Sequence, residues 1–352
     1  MRDVILIRGD GIGPEIAAAT IAVLRAARAP LRFREYFAGR AALARGLDPL
    51  PSVTLRAIRK HRLALKGPLE TPVGEGYRSA NVALRQSLGL YANVRPVRAI
   101  PGIATFFPRV DLVIIRENTE DLYTGIEIPR TNNRAIRALV RKGTGRTLRS
   151  DAAVALKIIT KSASRKVAAF TLSWAKRNRR HSVSIVHKAN ILKETDGLFL
   201  REARAIFARQ RAIRCDDLIV DNAAQQLVRK PERLDVLLCP NLYGDILSDL
   251  AAGLIGGIGL APSAQIGDRA AVFEPVHGTA PDIAGKGIAN PTAMIFSAVM
   301  LLRHLGDRRR ANHIERAVEN ALLQQRFRTR DLGGSATTRH FTEGVLRNLA
   351  HS

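Results

Sequence analysis

Short apolar runs that each lead into a polar, chemistry-bearing residue recur along this chain, and they constrain its fold more than any other feature. Val4-Ile5-Leu6-Ile7 runs into Gly9-Asp10-Gly11, and Leu63-Ala64-Leu65 into Lys66. Leu112-Val113-Ile114-Ile115 ends on Arg116, and Val183-Ser184-Ile185-Val186 on His187-Lys188. Leu218-Ile219-Val220 reads as a strand ending on Asp221, and Val236-Leu237-Leu238-Cys239 is stopped by Pro240. Runs this short and apolar are buried strands. Between them lie longer segments with helical spacing: Ala17 to Ala27, Ser162 to Lys176, Thr292 to Leu302, and a last helix near Ile314 to Gln325. Strand and helix in alternation predict an α/β fold. With 352 residues the chain has length for two domains, or one large unit with a split core.

The polar residues at the strand ends suggest what such a fold could hold. Arg95 and Arg116 each close an apolar run, and Arg85 lies just before, in the polar stretch from Tyr77 to Arg85. Three arginines so placed suit a ligand with several carboxylates, because guanidinium pairs bidentately with carboxylate. Helical character is expected to resume at about Asp245, which stacks Asp245 and Asp249 on one face. Such a pair repels by about 0.2–0.5 kcal/mol. A hard divalent cation would offset that, and Mg²⁺ or Mn²⁺ fits oxygen ligands. A solvated helix face accounts for an isolated pair equally well. Lys188 stands where a lysine beside a cleft can act as a base.

Gly9-Asp10-Gly11-Ile12-Gly13-Pro14 has the spacing GxGxG, one residue short of the dinucleotide fingerprint. It suits a tight strand-to-helix turn with Pro14 in the first turn. Residues 128–150 are polar, basic and glycine-containing, and read as a protruding arm.

Lysine and arginine outnumber acids 56 to 31, a net charge of +25 that raises non-specific affinity for polyanions. No nucleic-acid motif accompanies it, and aromatics at 5% leave few surfaces for base stacking. The excess, including Arg177/Arg179/Arg180 and Arg308-Arg309-Arg310, reads as a bias spread over solvated faces, and nucleic acid is set aside as partner. Cys215 and Cys239 form no ligand spacing and no disulfide framework, which favours a reducing compartment. The uncharged run from Leu250 to Gly267 is broken by five glycines and a proline and is too irregular to span a bilayer. With no leader visible, a cytoplasmic location is expected.

Taken together, the motifs resemble the β-decarboxylating dehydrogenases: the isocitrate, isopropylmalate and homoisocitrate dehydrogenases. They are Gly9-Asp10-Gly11-Ile12-Gly13-Pro14-Glu15, Tyr91-Ala92-Asn93-Val94-Arg95-Pro96, Arg116-Glu117-Asn118-Thr119-Glu120 and His187-Lys188-Ala189-Asn190. Asn241-Leu242-Tyr243-Gly244-Asp245, Ser248-Asp249 and His277-Gly278-Thr279-Ala280-Pro281 complete the set, in order along nearly the whole chain.

The resemblance implies two α/β domains without the usual Rossmann dinucleotide fold. A discontinuous large domain of residues 1–98 and 255–352 would carry the cofactor loop. Residues 99–254 would form the small domain, with the dimer interface and a clasp arm at about 128–150. The implied chemistry is oxidation of a 2-hydroxy acid by NAD, then loss of the β-carboxylate. Carried over by position, Arg85, Arg95 and Arg116 clamp the malate-type carboxylates, and Asp221, Asp245 and Asp249 hold Mg²⁺ or Mn²⁺. Lys188 takes the hydroxyl proton and Tyr123 protonates the enolate. Thr71, Asn190, His277, Gly278, Asp282 and Asn290 contact the cofactor. A homodimer with shared active sites is implied, Lys188 and Asp221 arriving from the second subunit.

Ser79 and Asn81 decide the substrate. A Ser-x-Asn pair at this place binds the distal carboxylate in the isocitrate branch, whereas the isopropylmalate branch has apolar residues there. A carboxylate against an apolar pocket is strongly unfavourable, so isopropylmalate fits poorly. Homoisocitrate differs by one methylene, worth only about 1–3 kcal/mol, and stays open as the alternative. Some family members are non-catalytic regulatory subunits that lose parts of the arginine, lysine or aspartate set. Every one of those positions is filled here.

Overall fold

The computed structural model describes residues 1–72, 79–129 and 133–350; Tyr77 and Arg78 of the polar stretch, and residues 130–132 of the expected arm, lie outside them. The apolar runs form strands because both their faces are covered. Val4 to Ile7, Leu112 to Ile115 and Val236 to Cys239 are buried without alternation, as parallel strands under helices require.

In chain order the strands are β1 (Arg2–Ile7), β2 (Leu31–Glu35), β3 (Leu63–Lys66), β4 (Ala92–Arg98), β5 (Asp111–Glu117) and β6 (Glu127–Ile128). They continue as β7 (Val154–Ala155), β8 (Ser182–His187), β9 (Arg214–Ile219), β10 (Val236–Cys239), β11 (Pro262–Ile266) and β12 (Ala271–Pro275). Ten of them form one sheet, ordered β2-β1-β3-β12-β11-β4-β5-β10-β8-β9. Its two wings are parallel, but the central pairs β12/β11, β11/β4 and β4/β5 are antiparallel. That centre separates the architecture from the all-parallel Rossmann sheet. Strands from the two ends of the chain make the sheet as far as β4, and strands from its middle make the rest.

Helices cover both wings. Gly13–Ala26 packs against Thr292–His304 and Thr338–Ala350, and Lys161–Arg177 packs against Thr195–Phe207. Among the described residues no helix is long and apolar enough to cross a membrane. The small β6/β7 pair stands apart from the main sheet and flanks the helix Arg134–Thr144, none of whose residues is buried.

Three local expectations need correction. The helix after β10 starts at Asn241, four residues before Asp245, because Pro240 both stops the strand and accepts the first helical hydrogen bond, from Gly244 N at 2.9 Å. Asp221 does not end a strand: β9 stops at Ile219, and Asp221 is the second residue of the helix Val220–Arg229. The helix expected at Ile314 to Gln325 runs Arg308–Leu323, its start set by Asp307, whose carboxylate caps Arg310 N at 3.2 Å. It is not the last. Thr338–Ala350 follows and buries Phe341, Val345 and Leu349 at helical spacing.

Candidate active site

Successive side chains on a strand point to opposite faces, so register alone assembles much of the site. Asn93 pairs with Arg116 across β4/β5 and with Gln265 across β11/β4. Arg95 lies two residues from Asn93, and Ser263, paired with Glu274, lies two from Gln265. One face of the antiparallel centre therefore presents Arg95, Arg116, Gln265 and Glu274.

The helix Asn241–Leu254 lies against that face. Arg116 donates from Nε to Asn241 Oδ1 at 2.8 Å and from Nη1 to Asp245. Arg95 Nη1 reaches Asp245 at 3.2 Å, Ser248 Oγ at 2.5 Å and Asp249 at 3.5 Å. Tyr123 Oη donates to the other oxygen of Asp245, with the Arg116 guanidinium 4.7 Å from the centre of its ring. Arg85 joins from the helix Ala80–Leu88, its Nε donating to Gln265 Oε1 at 2.9 Å and its Nη2 lying 3.5 Å from Glu274.

Close approach of this helix depends on Gly244. A Cβ there would lie 2.6 Å from Arg116 Cβ and 2.7 Å from its Cγ, at the stiff root of the side chain. Gly244→Ala is therefore expected to destabilise the protein by about 1–3 kcal/mol through overpacking. Chemical unfolding measures it; a change below a few tenths of a kcal/mol would show that the helix is free to move away.

The electrostatics favour an anionic ligand. Burial pushes the Arg116 guanidinium down to about 10, helped by repulsion from Arg95 and Arg85, so it stays charged at neutral pH. Burial opposes ionisation of Asp245, but Arg116 and Arg95 outweigh it and hold the carboxyl below the ordinary range. Asp249 is raised by burial and by Asp245, against Arg95. Tyr123 is raised by burial against the pull of Arg116, and keeps its proton. Arg95 Nε and Arg116 Nη2 are buried without a hydrogen-bond partner, as is Asn81 Oδ1 on the same helix as Arg85. The two orphaned guanidinium donors cost about 1–3 kcal/mol each, which a carboxylate ligand would recover.

In the layer beneath, sequence reading placed Lys66 at a strand end without a partner and overlooked Glu274. Lys66, fully buried at the end of β3, is ion-paired with Glu274, which also accepts from Gln265 Nε2. Burial works against the Glu274 charge, but Lys66 and Arg85 keep it ionised. Ala271-Val272-Phe273-Glu274 repeats the pattern of an apolar run ending on a polar residue, which was the signal available.

A second group forms around Lys188, just past β8. Its backbone N–H donates to Asp196 at 2.7 Å, and its Nζ lies 2.6 Å from Asp221, whose carboxyl is lowered by that bond. Asn190 follows in the same loop, exposed. Asp245 and Asp249 offer oxygen donors of the type a hard cation takes. Among the described residues no third metal-ligating side chain joins them, since Asp221 is paired with Lys188 instead. Two of the three expected metal ligands are thus together in one chain, and the third is not.

A third group faces the first loop. Gly11 has φ +57°, and a Cβ there would stand 2.0 Å from the Thr279 carbonyl, which accepts from Ile12 N at 2.9 Å. Only glycine permits that approach. Buried Asp10, given no role of its own in the sequence, accepts from Glu70 N at 2.9 Å and Arg40 N at 3.1 Å, tying this loop to the one that carries Thr71. Thr71 in turn donates to Ser79 Oγ at 3.0 Å. His277 is buried, Nδ1 2.9 Å from the Gly278 carbonyl, and burial holds it below the ordinary histidine range. Asn290 donates to Asp331 at 2.9 Å, a residue with no motif to announce it. Asp282 sits exposed on the turn Pro281–Ile283.

A family model described as isocitrate/isopropylmalate dehydrogenase matches residues 3–345. The chain is 45% identical to "Isocitrate dehydrogenase [NAD] catalytic subunit 5, mitochondrial" of Arabidopsis thaliana, covering 98% of this chain and 87% of that one. It is 42% identical to a mitochondrial NAD isocitrate dehydrogenase chain of Dictyostelium discoideum that is named as regulatory, covering 100% and 93%. Among solved structures, isocitrate dehydrogenase from Methylococcus capsulatus superposes with a TM-score of 0.92 at 46% identity, covering 99% of both chains. The expected cytoplasmic location is overturned here, because the curated relatives are named as mitochondrial. Unpaired cysteines report a reducing environment and cannot say which compartment supplies it. Matched from one end to the other by that family model, this chain belongs to the isocitrate/isopropylmalate dehydrogenase family.

Proposed function

We propose that this chain catalyses the NAD-dependent oxidative decarboxylation of isocitrate to 2-oxoglutarate and carbon dioxide. The observation that carries this reading is the cluster of Arg85, Arg95 and Arg116, with unpaired buried donors, beside Tyr123 and the Asp245/Asp249 pair. The relatives' names support NAD as cofactor and isocitrate as substrate.

In this reading the three guanidiniums bind and orient the carboxylates at fixed donor positions, while Ser79 and Asn81 take the distal carboxylate. Bound Mg²⁺ or Mn²⁺ would be held by Asp245, Asp249 and the partner subunit's Asp221, and supplies Lewis-acid polarisation of the substrate oxygens. NAD would lie along the Gly9–Gly13 loop and residues 277–290, with Thr71 and Asn190 nearer the nicotinamide, and supplies the hydride acceptor. The partner subunit's Lys188 accepts the hydroxyl proton. Tyr123, which keeps its proton at neutral pH, delivers one to carbon after carbon dioxide leaves. Division into residues 1–98 with 255–352 and residues 99–254 would place a hinge where β4 meets β5, with the polar arm at 128–150 clasping the second protomer.

A second reading rests on the Dictyostelium relative named as regulatory, which keeps 42% identity without being named catalytic. One experiment separates them. The purified chain alone is assayed with isocitrate, homoisocitrate, isopropylmalate and tartrate, with NAD⁺ or NADP⁺, with and without chelator. The expected result is metal-dependent turnover, highest in kcat/KM for isocitrate with NAD⁺, since exposed Asp282 can bind a ribose hydroxyl and repels a 2′-phosphate. A tenfold preference for homoisocitrate, about 1.4 kcal/mol, would reassign the substrate. No turnover with any of them would favour the regulatory reading.

A further inference from the structure

The reverse face of the antiparallel centre carries a groove. Where Arg95 and Arg116 point one way, the pleat turns Val94, Pro96 and Val113 the other, in register with Ala264 and Phe273. They floor a groove of about 830 Å³, within the range of roughly 300–1,000 Å³ usual for small-molecule sites. One wall is Phe170 and Trp174 of the helix Lys161–Arg177, and the other is Phe296, Val299 and Met300 of the helix Thr292–His304.

The rim is cationic. Two of the basic runs that stand out in the sequence, Arg177/Arg179/Arg180 and Arg308, lie more than a hundred residues apart and meet here with Arg98 and Arg303. The nearby carboxylates are already engaged. Asp111 pairs with Arg180 at 2.6 Å, and Glu315 with Arg303 at 2.5 Å and Arg98 at 3.4 Å. Arg177, Arg179 and Arg308 have no carboxylate partner among the described residues. Arg179 moreover occupies a left-handed position, φ +54°, just past the helix end, where glycine is the usual residue.

We infer that this rear groove is a binding site for a small organic anion with an apolar or aromatic body, the body lying on the Trp174 wall and the charged group on Arg177, Arg179 and Arg308. Apolar floor and unpaired guanidiniums together ask for both halves of such a ligand. Neither half alone satisfies them: an inorganic anion leaves the floor wet, and a neutral hydrocarbon leaves the arginines repelling one another.

Trp174 is the single tryptophan of the chain and reports directly on the groove. The full chain is titrated with anilinonaphthalene sulfonate in saturating NAD⁺ and, separately, in saturating isocitrate with Mg²⁺, so that no NADH forms, exciting Trp174 and reading energy transfer to the dye. Saturable transfer, undisplaced by NAD⁺ and isocitrate, is expected. Arg179→Glu with Arg308→Glu should weaken it about tenfold or more by reversing the complementary charge. Arg309→Glu with Arg316→Glu makes the same change in net charge outside the groove and should leave it intact. Inorganic phosphate should compete only at much higher concentration than the dye. Absence of transfer from Trp174, displacement by NAD⁺ or isocitrate, equal weakening in both double variants, or competition by phosphate at dye concentrations would each overturn the assignment.

Discussion

A refolded equal mixture of Lys188→Ala and Asp245→Asn subunits is expected to regain about a quarter of wild-type activity, although each variant alone is nearly inactive. Within one chain Lys188 pairs with Asp221 at 2.6 Å, and among the described residues no hydrogen bond or ion pair joins either residue to Asp245 or Asp249. On the proposed function, a site that needs both groups borrows one of them from a second subunit. Removing a general base lowers turnover by about 10²–10⁴, and removing a metal ligand takes away the Lewis acid, so each parent variant gives a low background. Under two-fold symmetry a mixed dimer collects both lesions in one site and neither in the other. Random assortment makes half the dimers mixed, each with one intact site. The subunits are unfolded, mixed in equal amounts and refolded, and mixed dimers then isolated by differential tagging should show about half of wild-type activity. If such dimers form and stay inactive, the site is built within a single chain, and the roles given to Lys188 and Asp221 are wrong.

Tyr123→Phe should lower steady-state kcat by about 10²–10⁴, as expected for loss of a positioned proton donor, while sparing the first hydride transfer. The hydroxyl donates to Asp245 and is kept protonated by burial, so it is equipped to give a proton and not to take one. Protonation of carbon follows oxidation, so rapid mixing should still show one equivalent of NADH per site before turnover slows. Phenylalanine retains the ring beside Arg116, and Tm should fall by only a few degrees for roughly one lost hydrogen bond. Loss of the burst along with kcat would place Tyr123 in the oxidation step. Unchanged kcat would remove it from the chemistry.

The elements most legible in advance were those whose signal is local. Val4 to Ile7 and Val236 to Cys239 are strands because uninterrupted apolar runs of that length bury on both faces of a parallel sheet. Boundaries were read less well where one residue plays two parts. Pro240 ends β10 and also begins a helix, and Asp307 starts a helix inside a basic run that carries no apolar period. Resemblance named Arg85, Arg95, Arg116, Tyr123 and Asp245 without saying how they are held.

Residue type at the end of each short strand is a property of the chain itself, and it already called for an α/β fold with arginines and carboxylates at a cleft. Which of those residues meet was decided only in three dimensions. Arg116 and Asp245 are 129 positions apart, and Lys66 and Glu274 are brought together through β3 and β12. The two faces of the antiparallel centre, one lined by arginines over carboxylates and the other by an apolar groove under a basic rim, follow from pairing register. A shift of one residue would exchange them. Register is fixed by the covering helices and by contacts between distant segments, and neither leaves a trace in the local pattern of a single strand.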